Sequence, residues 1–170
     1  AVKPLLDLQE KDLRPLLFVA DLHALTDHEL SFAEKNTPQI VADYLALGLD
    51  PNKCEIFVQS SIKAEVFELT NYLLRHVSVS ELMRVPTLKE KLKKGQTSSQ
   101  ANALLAIYPV LMAADIMLQR AKYVPVGDDQ LPHIEMTKKI IRRFNNQYGN
   151  VFPEPMVQEV TPLRIQSLDG

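Results

Sequence analysis

Apolar positions along this chain fall into two rhythms. Short unbroken runs, Leu16-Leu-Phe-Val-Ala20 and Ile56-Phe-Val58, have the pattern of strands buried on both faces. Around them, apolar residues recur at helical spacing. Residues 4–13 form an amphipathic stretch ahead of the first strand. After that strand, Thr37-Pro38 reads as an N-cap with proline at the first helical position. The helix it opens carries Ile40, Val41, Tyr44 and Leu45, stops at Gly48 as a C′ glycine, and turns at Asp50-Pro51-Asn52. Ser60 or Ser61 is the expected cap of a helix bearing Val66, Leu69, Tyr72 and Leu73, with a further helical piece over 80–83. Residues 87–100 are polar and basic and predict a surface loop. A mostly apolar helix is expected over 102–120, a strand over 123–126, and an amphipathic helix with a basic outer face over 130–144. Beyond Tyr148-Gly149, prolines at 153, 155 and 162 predict a connector without regular structure. Strands alternating with helices give an α/β domain with a parallel sheet flanked by helices. No internal repeat interrupts that reading.

Composition narrows the class without naming it. The chain has 170 residues, 46% hydrophobic and 24% charged, enough for one domain with a real core. Its net charge of -2 supplies no global attraction to nucleic acid or anionic membrane, so any such contact needs a local patch. The single cysteine, Cys54, rules out an internal disulfide, argues for a reducing compartment, and reads as a small buried hydrophobe. No apolar run is long enough to span a bilayer, and Asp7, Glu10, Lys11 and Asp12 interrupt the N-terminus too early for a signal peptide. The amphipathic opening without a preceding strand and the uncapped close at Leu168-Asp-Gly170 suggest a piece of something larger.

Three constellations carry candidate chemistry. On the long apolar helix, Tyr108, Met112, Asp115 and Ile116 share one face at i, i+4, i+7 and i+8. Tyr108 and Met112 read equally as core, but a carboxylate between Ala114 and Ile116 is costly to bury without a use. Val126-Gly-Asp-Asp-Gln130 lies where a strand passes into a helix, the place where parallel sheets bind ligands. Gly127 permits close approach, Gln130 offers a donor and an acceptor, and Asp128 and Asp129 either cap the helix or meet the ligand. Asp21-Leu-His23 follows the first strand, with His23 either lining a pocket or satisfied structurally. His28, His76 and His133 have no metal-ligand spacing, so no metal site is assigned. Lys89, Lys91, Lys93 and Lys94 suit either RNA phosphates or a solvated face. Neither a dinucleotide glycine fingerprint nor a GxxxxGK[ST] loop is present.

Taken together, Ala20-Asp-Leu-His-Ala-Leu-Thr26, Ile56-Phe-Val-Gln-Ser60, Tyr108-Pro-Val-Leu-Met-Ala-Ala-Asp115, Val124-Pro-Val-Gly-Asp-Asp-Gln130 and His133-Ile-Glu-Met-Thr137 resemble the tryptophanyl-tRNA synthetases, class I aminoacyl-tRNA synthetases. Arg164-Ile-Gln-Ser-Leu-Asp169 resembles the approach to that family's KMSKS loop, and the likeness runs through essentially the whole chain. It implies a Rossmann-like (HUP-type) catalytic domain occupying residues 1–170, with a helical anticodon-binding domain beyond. It implies ATP-dependent activation of L-tryptophan, transfer to tRNA(Trp), Mg2+ accompanying ATP, a homodimer and a cytoplasmic setting. Carried over by position, Asp115 accepts the indole N–H, Tyr108 and Gln130 hold the α-ammonium, and Met112, Val124 and Val126 wall the ring beside His23. Gly127, Asp128, Asp129 and Ile165 resemble ATP-contact positions, and no residue is expected to act as a general acid or base. The HIGH-like motif is expected before Ala1 and the KMSKS lysines after Gly170, so residues 1–170 alone are expected to be inactive or nearly so.

The alternatives are the sister tyrosyl-tRNA synthetases and a non-catalytic Rossmann-like module. An indole has one donor and no acceptor, so one carboxylate in an apolar slot reads it, and the Met112 thioether suits it better than a phenol.

Overall fold

A computed structural model of the chain describes residues 2–11, 13–86 and 102–159. The expected surface loop at 87–100, Ile165 and the segment 164–169 lie outside the described residues. In chain order the elements are α1 (Lys3–Glu10), β1 (Leu16–Val19), α2 (Asp21–Ala24), α3 (Leu30–Ala46), β2 (Glu55–Val58), a 3-10 turn (Gln59–Ile62), α4 (Lys63–Leu74), α5 (Val79–Leu82), α6 (Ala103–Leu118), β3 (Tyr123–Val126), a second 3-10 turn (Asp128–Gln130), α7 (Leu131–Tyr148) and β4 (Met156–Glu159). β1 pairs in parallel with β2, Leu16 opposite Glu55, and β3 pairs in parallel with β4, Tyr123 opposite Met156. Each pair is joined through helices, as parallel strands require.

The core forms around α6, which packs between α4 and α7. Val110, Ala113, Ala114 and Met117 of α6 meet Leu73 of α4, Leu82 of α5, and Ile140 and Ile141 of α7. A second apolar cluster joins Leu111 to Leu22 of α2 and Val66 of α4. Asn102 caps α6 by accepting from Leu105 N at 2.8 Å, and Ser78 and Glu81 form a reciprocal capping box on α5.

Four sequence expectations are corrected. Pro38 does not open a helix: α3 starts at Leu30 and Pro38 lies inside it. Proline costs the helix a hydrogen bond to Glu34, an exposed residue, while Thr37 Oγ1 donates to Ala33 O at 2.8 Å. The predicted stop holds, with Gly48 at φ +102° just past the C-cap Leu47. Neither Ser60 nor Ser61 caps α4, since both sit in the preceding 3-10 turn and Ser60 N donates to Asp21 Oδ1 at 2.9 Å. β1 is not buried on both faces: Val19 is buried, but Leu16 is 40% exposed. The proline-rich connector contains β4. Pro153 and Pro155 precede that strand, where a missing N–H costs no ladder bond. Asn145 folds the chain back toward β3, its Oδ1 accepting from Val151 N and Phe152 N and its Nδ2 donating to Phe152 O. Cys54 is buried as expected, its Sγ 3.2 Å from Asp50 O.

Candidate functional site

At about 100° per residue, α6 has room for three sectors. One faces the α4–α7 core and a second faces Leu22 and Val66. The third carries Tyr108, Met112 and Asp115, and it meets residues that follow the carboxyl ends of β1, β2 and β3.

Asp115 is the centre of this face. It is 5% exposed and accepts three hydrogen bonds. Gln59 Nε2, immediately after β2, donates to Oδ1 and Oδ2 at 2.8 Å each. His23 Nε2, in the short helix after β1, is 2.9 Å from Oδ2. A carboxylate in this role only accepts, so His23 carries its proton on Nε2. The three bonds occupy about three of four lone-pair positions, which leaves one for a further donor. Asp21 Oδ1 accepts from Ser60 N and so ties the end of β1 to the end of β2, holding His23 and Gln59 on the same carboxylate.

Two turns earlier on α6, the Tyr108 hydroxyl is 2.5 Å from His133 Nε2 in the first turn of α7. The Tyr108 ring stands edge-on to both His23 and His133, with centroids 6.2 and 5.1 Å away. Burial pushes the His133 imidazole below its ordinary range, while the Asp129 carboxylate pulls weakly the other way. His133 is 1% exposed, and a neutral ring is the form that such a site favours.

The turn after β3 closes the arrangement. Gln130 precedes His133 by three residues, and its Nε2 donates to Asp129 Oδ2 at 2.5 Å. Neither N-cap residue, Gly127 for the turn or Gln130 for α7, makes a side-chain cap, and Asp128 and Asp129 lie in the first turn, where the helix dipole favours a carboxylate. Gly127 is extended, at φ -76° and ψ 166°, so no left-handed conformation demands glycine there. A Cβ at Gly127 would come within 2.8 Å of Asp129 Oδ1, but that atom ends an exposed side chain that can turn aside, so space does not demand glycine either. Val124 and Val126 are half-buried on β3, as is Met112 on α6.

The structure thus joins His23 and Asp115 directly and brings Tyr108 beside them, with Gln130 and Asp129 next to His133. Met112, Val124 and Val126 bring no polar group to this network, and Asp128 makes no side-chain hydrogen bond to it among the described residues. Gln59 and His133 were missed as site residues, although both lie in conspicuous sequence stretches. Gln59 follows a strand end just as His23 and Gly127 do, and that position was the available signal. Two clefts lie elsewhere. One of about 900 Å³ is lined by Arg75, Glu81, Arg84, Lys139 and Arg143 among others, and one of about 210 Å³ lies under α3 beside Phe18, Ala33 and Ile40. The chemistry converges on the α6 face, so the buried polar cluster and not the cleft volume marks the site. The basic outer face of α7 is partly neutralised, because Arg142 pairs with Glu154 and Arg143 with Glu81. No helix among the described residues is long and apolar enough to cross a membrane.

The family described as "tRNA synthetases class I (W and Y)" matches residues 1–170. The chain belongs to this family of class I tRNA synthetases. Among its relatives, the tryptophan–tRNA ligase of Thermotoga maritima is 47% identical over 165 residues, covering 96% of this chain and 49% of that protein. The tryptophan–tRNA ligase of Porphyromonas gingivalis is 42% identical over 174 residues, covering 100% of this chain and 52% of that protein. The solved tryptophanyl-tRNA synthetase of Campylobacter jejuni, a complex with ADP and tryptophan, superposes with a TM-score of 0.87 at 35% identity. That match covers 97% of this chain and 50% of the other. This synthetase chain therefore has the Rossmann-like class I fold, and it spans about half the length of the relatives it matches.

Proposed function

We propose that the protein carrying this chain is a tryptophan–tRNA ligase, and that residues 1–170 form a partial Rossmann-like catalytic domain holding its tryptophan pocket and part of its ATP site. The carboxylate of L-tryptophan attacks the α-phosphorus of ATP, forming tryptophanyl-adenylate and releasing pyrophosphate. The tryptophanyl group then passes to the 3′ end of tRNA(Trp), releasing AMP. The observation that carries this reading is Asp115: a buried carboxylate, fixed by Gln59 and His23, with one acceptor position left on an otherwise apolar helix. That geometry suits a flat apolar ring with a single N–H, and relatives at 42% and 47% identity are tryptophan–tRNA ligases.

The ring lies between Met112, Val124 and Val126, with His23 at its edge, and its N–H donates to Asp115. The Tyr108 hydroxyl, held in place by its hydrogen bond with His133 Nε2, meets the α-ammonium. The Gln130 Nε2 is committed to Asp129, so its Oε1 is the atom that accepts from the same ammonium. Gly127, Asp128, Asp129 and Ile165 contribute to the ATP site. Mg2+ arrives with the ATP phosphates as part of the substrate; among the described residues no group of three or more His, Cys, Asp or Glu side chains is placed to hold a metal ion. Positioning and charge stabilisation at phosphorus supply most of the rate, with no side chain acting as general base. The working protein is a cytoplasmic homodimer.

The test is ATP–pyrophosphate exchange by the full-length protein against each amino acid in turn. Exchange driven by tryptophan alone is expected. Exchange driven by tyrosine would move the assignment to the sister enzyme, and no exchange with any amino acid would reduce the relationship to one of fold.

A further inference from the structure

Gln59 has a buried environment that packing alone does not explain. Its side chain is 0% exposed, sits one residue beyond β2, and spends its amide nitrogen on both oxygens of Asp115. Its Oε1 is buried and has no hydrogen-bond partner among the described residues. Turning the amide over would set that oxygen against the carboxylate, so the observed orientation is the only one that leaves Asp115 served. An orphaned buried acceptor is an unfavourable feature, and here it accompanies two donations to one carboxylate. A side chain of the same size without polar atoms would fill the space and leave no orphan. The cost is explained if the donation itself matters.

We infer that Gln59 is a specificity-determining positioning residue, which aims the Asp115 carboxylate at the ring N–H of the amino-acid substrate. This rests on the tryptophan reading above. Gln59 spans the two carboxylate oxygens and so fixes the rotation of the carboxyl plane, which His23, bound to Oδ2 alone, does not do. With the plane fixed, the remaining lone pair points in one direction, and a ligand lacking a donor there leaves it unpaired. Selectivity for the N–H then depends on Gln59 although Gln59 never touches the substrate.

The experiment compares tryptophan with β-(benzothienyl)alanine, which has sulfur in place of the ring N–H, in ATP–pyrophosphate exchange by the full-length protein. Gln59→Met removes the donor and keeps the volume. Its expected effect is a rise in KM for tryptophan of about ten- to a hundredfold, the worth of a hydrogen bond to a charged group, with kcat little changed. KM for the sulfur analogue stays within about twofold, because that ligand never used the aimed lone pair. In an Asp115→Ala background the same substitution has no further effect on the tryptophan-to-analogue ratio, since a residue acting through another is silent once its partner is gone. Gln59→Glu, which sets a second carboxylate against Asp115, lowers the ratio as well. Equal losses for both ligands in Gln59→Met would reduce Gln59 to a packing residue and overturn the inference. A ratio unchanged in a tryptophan-active protein would overturn it alone, whereas no tryptophan-dependent exchange in the unsubstituted protein would overturn the functional reading beneath it.

Discussion

Two faces of α6 obey opposite rules. Toward α4 and α7, Val110, Ala113, Ala114 and Met117 form an apolar cluster with Leu73, Ile140 and Ile141. Toward the strand ends, the same helix buries a carboxylate and half-buries a phenol, each held by named partners. Non-directional packing depends on volume, so the first face tolerates substitutions that conserve size. Hydrogen bonds depend on atom type, so the second face does not. A helix with this composition reads as simple core until its sectors are separated, and the separation shows where stability ends and recognition begins.

Substitutions on each face sharpen that contrast. The largest effect is expected from Asp115→Ala, which removes the acceptor and strands the Gln59 amide. In the full-length protein, kcat/KM for tryptophan in exchange falls by about a thousandfold or more, as for a site built around one hydrogen bond. On the opposite face, Leu73→Ala lowers the unfolding free energy by about 2–5 kcal/mol in denaturant titration, while exchange per folded molecule is unchanged. Leu73→Met, which conserves volume, costs below about 1.5 kcal/mol.

The pH response of the two regions differs in origin and size. The His133 imidazole is held below its ordinary value of 6.5 by burial, so the unfolded chain takes up a proton more readily than the folded one. Its contribution is therefore present above about pH 6.5 and lost as pH falls through the lower folded value. His76 is lowered too, again chiefly by burial, so the comparison needs a variant. Urea midpoints of the unsubstituted protein drop as pH falls below 6.5, and His133→Gln shows a shallower drop. The smallest effect belongs to Glu81, lowered to about 2 by the Arg143 hydrogen bond and then by the Ser78 backbone. Its stabilisation is present above the ordinary value of 4.5 and lost as pH falls toward 2. Arg143→Ala removes it at a cost of about 1 kcal/mol or less at neutral pH, and it flattens the acid limb of the stability curve.

Helix and strand identities were legible from the chain because periodicity reports burial directly: α6, α7, β2 and β3 lie where the apolar pattern puts them. Boundaries governed by a competing local rule were not. Pro38 carries a helix-start preference, yet α3 begins eight residues earlier because the helix tolerates its one lost bond at an exposed turn. β4 was hidden by prolines whose strand-breaking effect ends before Met156. In the site, Asp115 was legible as a carboxylate placed where packing did not call for it, whereas Tyr108 also read as core and His23 as a structurally satisfied residue. Their partners Gln59 and His133 lie 56 and 25 residues away in sequence from Asp115 and Tyr108, and a pairing at that distance leaves no periodic trace.

The central claim is that Asp115 reads a ring N–H. Its most direct measure is the ratio of kcat/KM for tryptophan and β-(benzothienyl)alanine in ATP–pyrophosphate exchange, taken on the full-length protein and on Asp115→Ala. The account predicts a preference for tryptophan above about a hundredfold that collapses to near parity in the variant. Near parity in the unsubstituted protein, or a preference that survives Asp115→Ala, would contradict it.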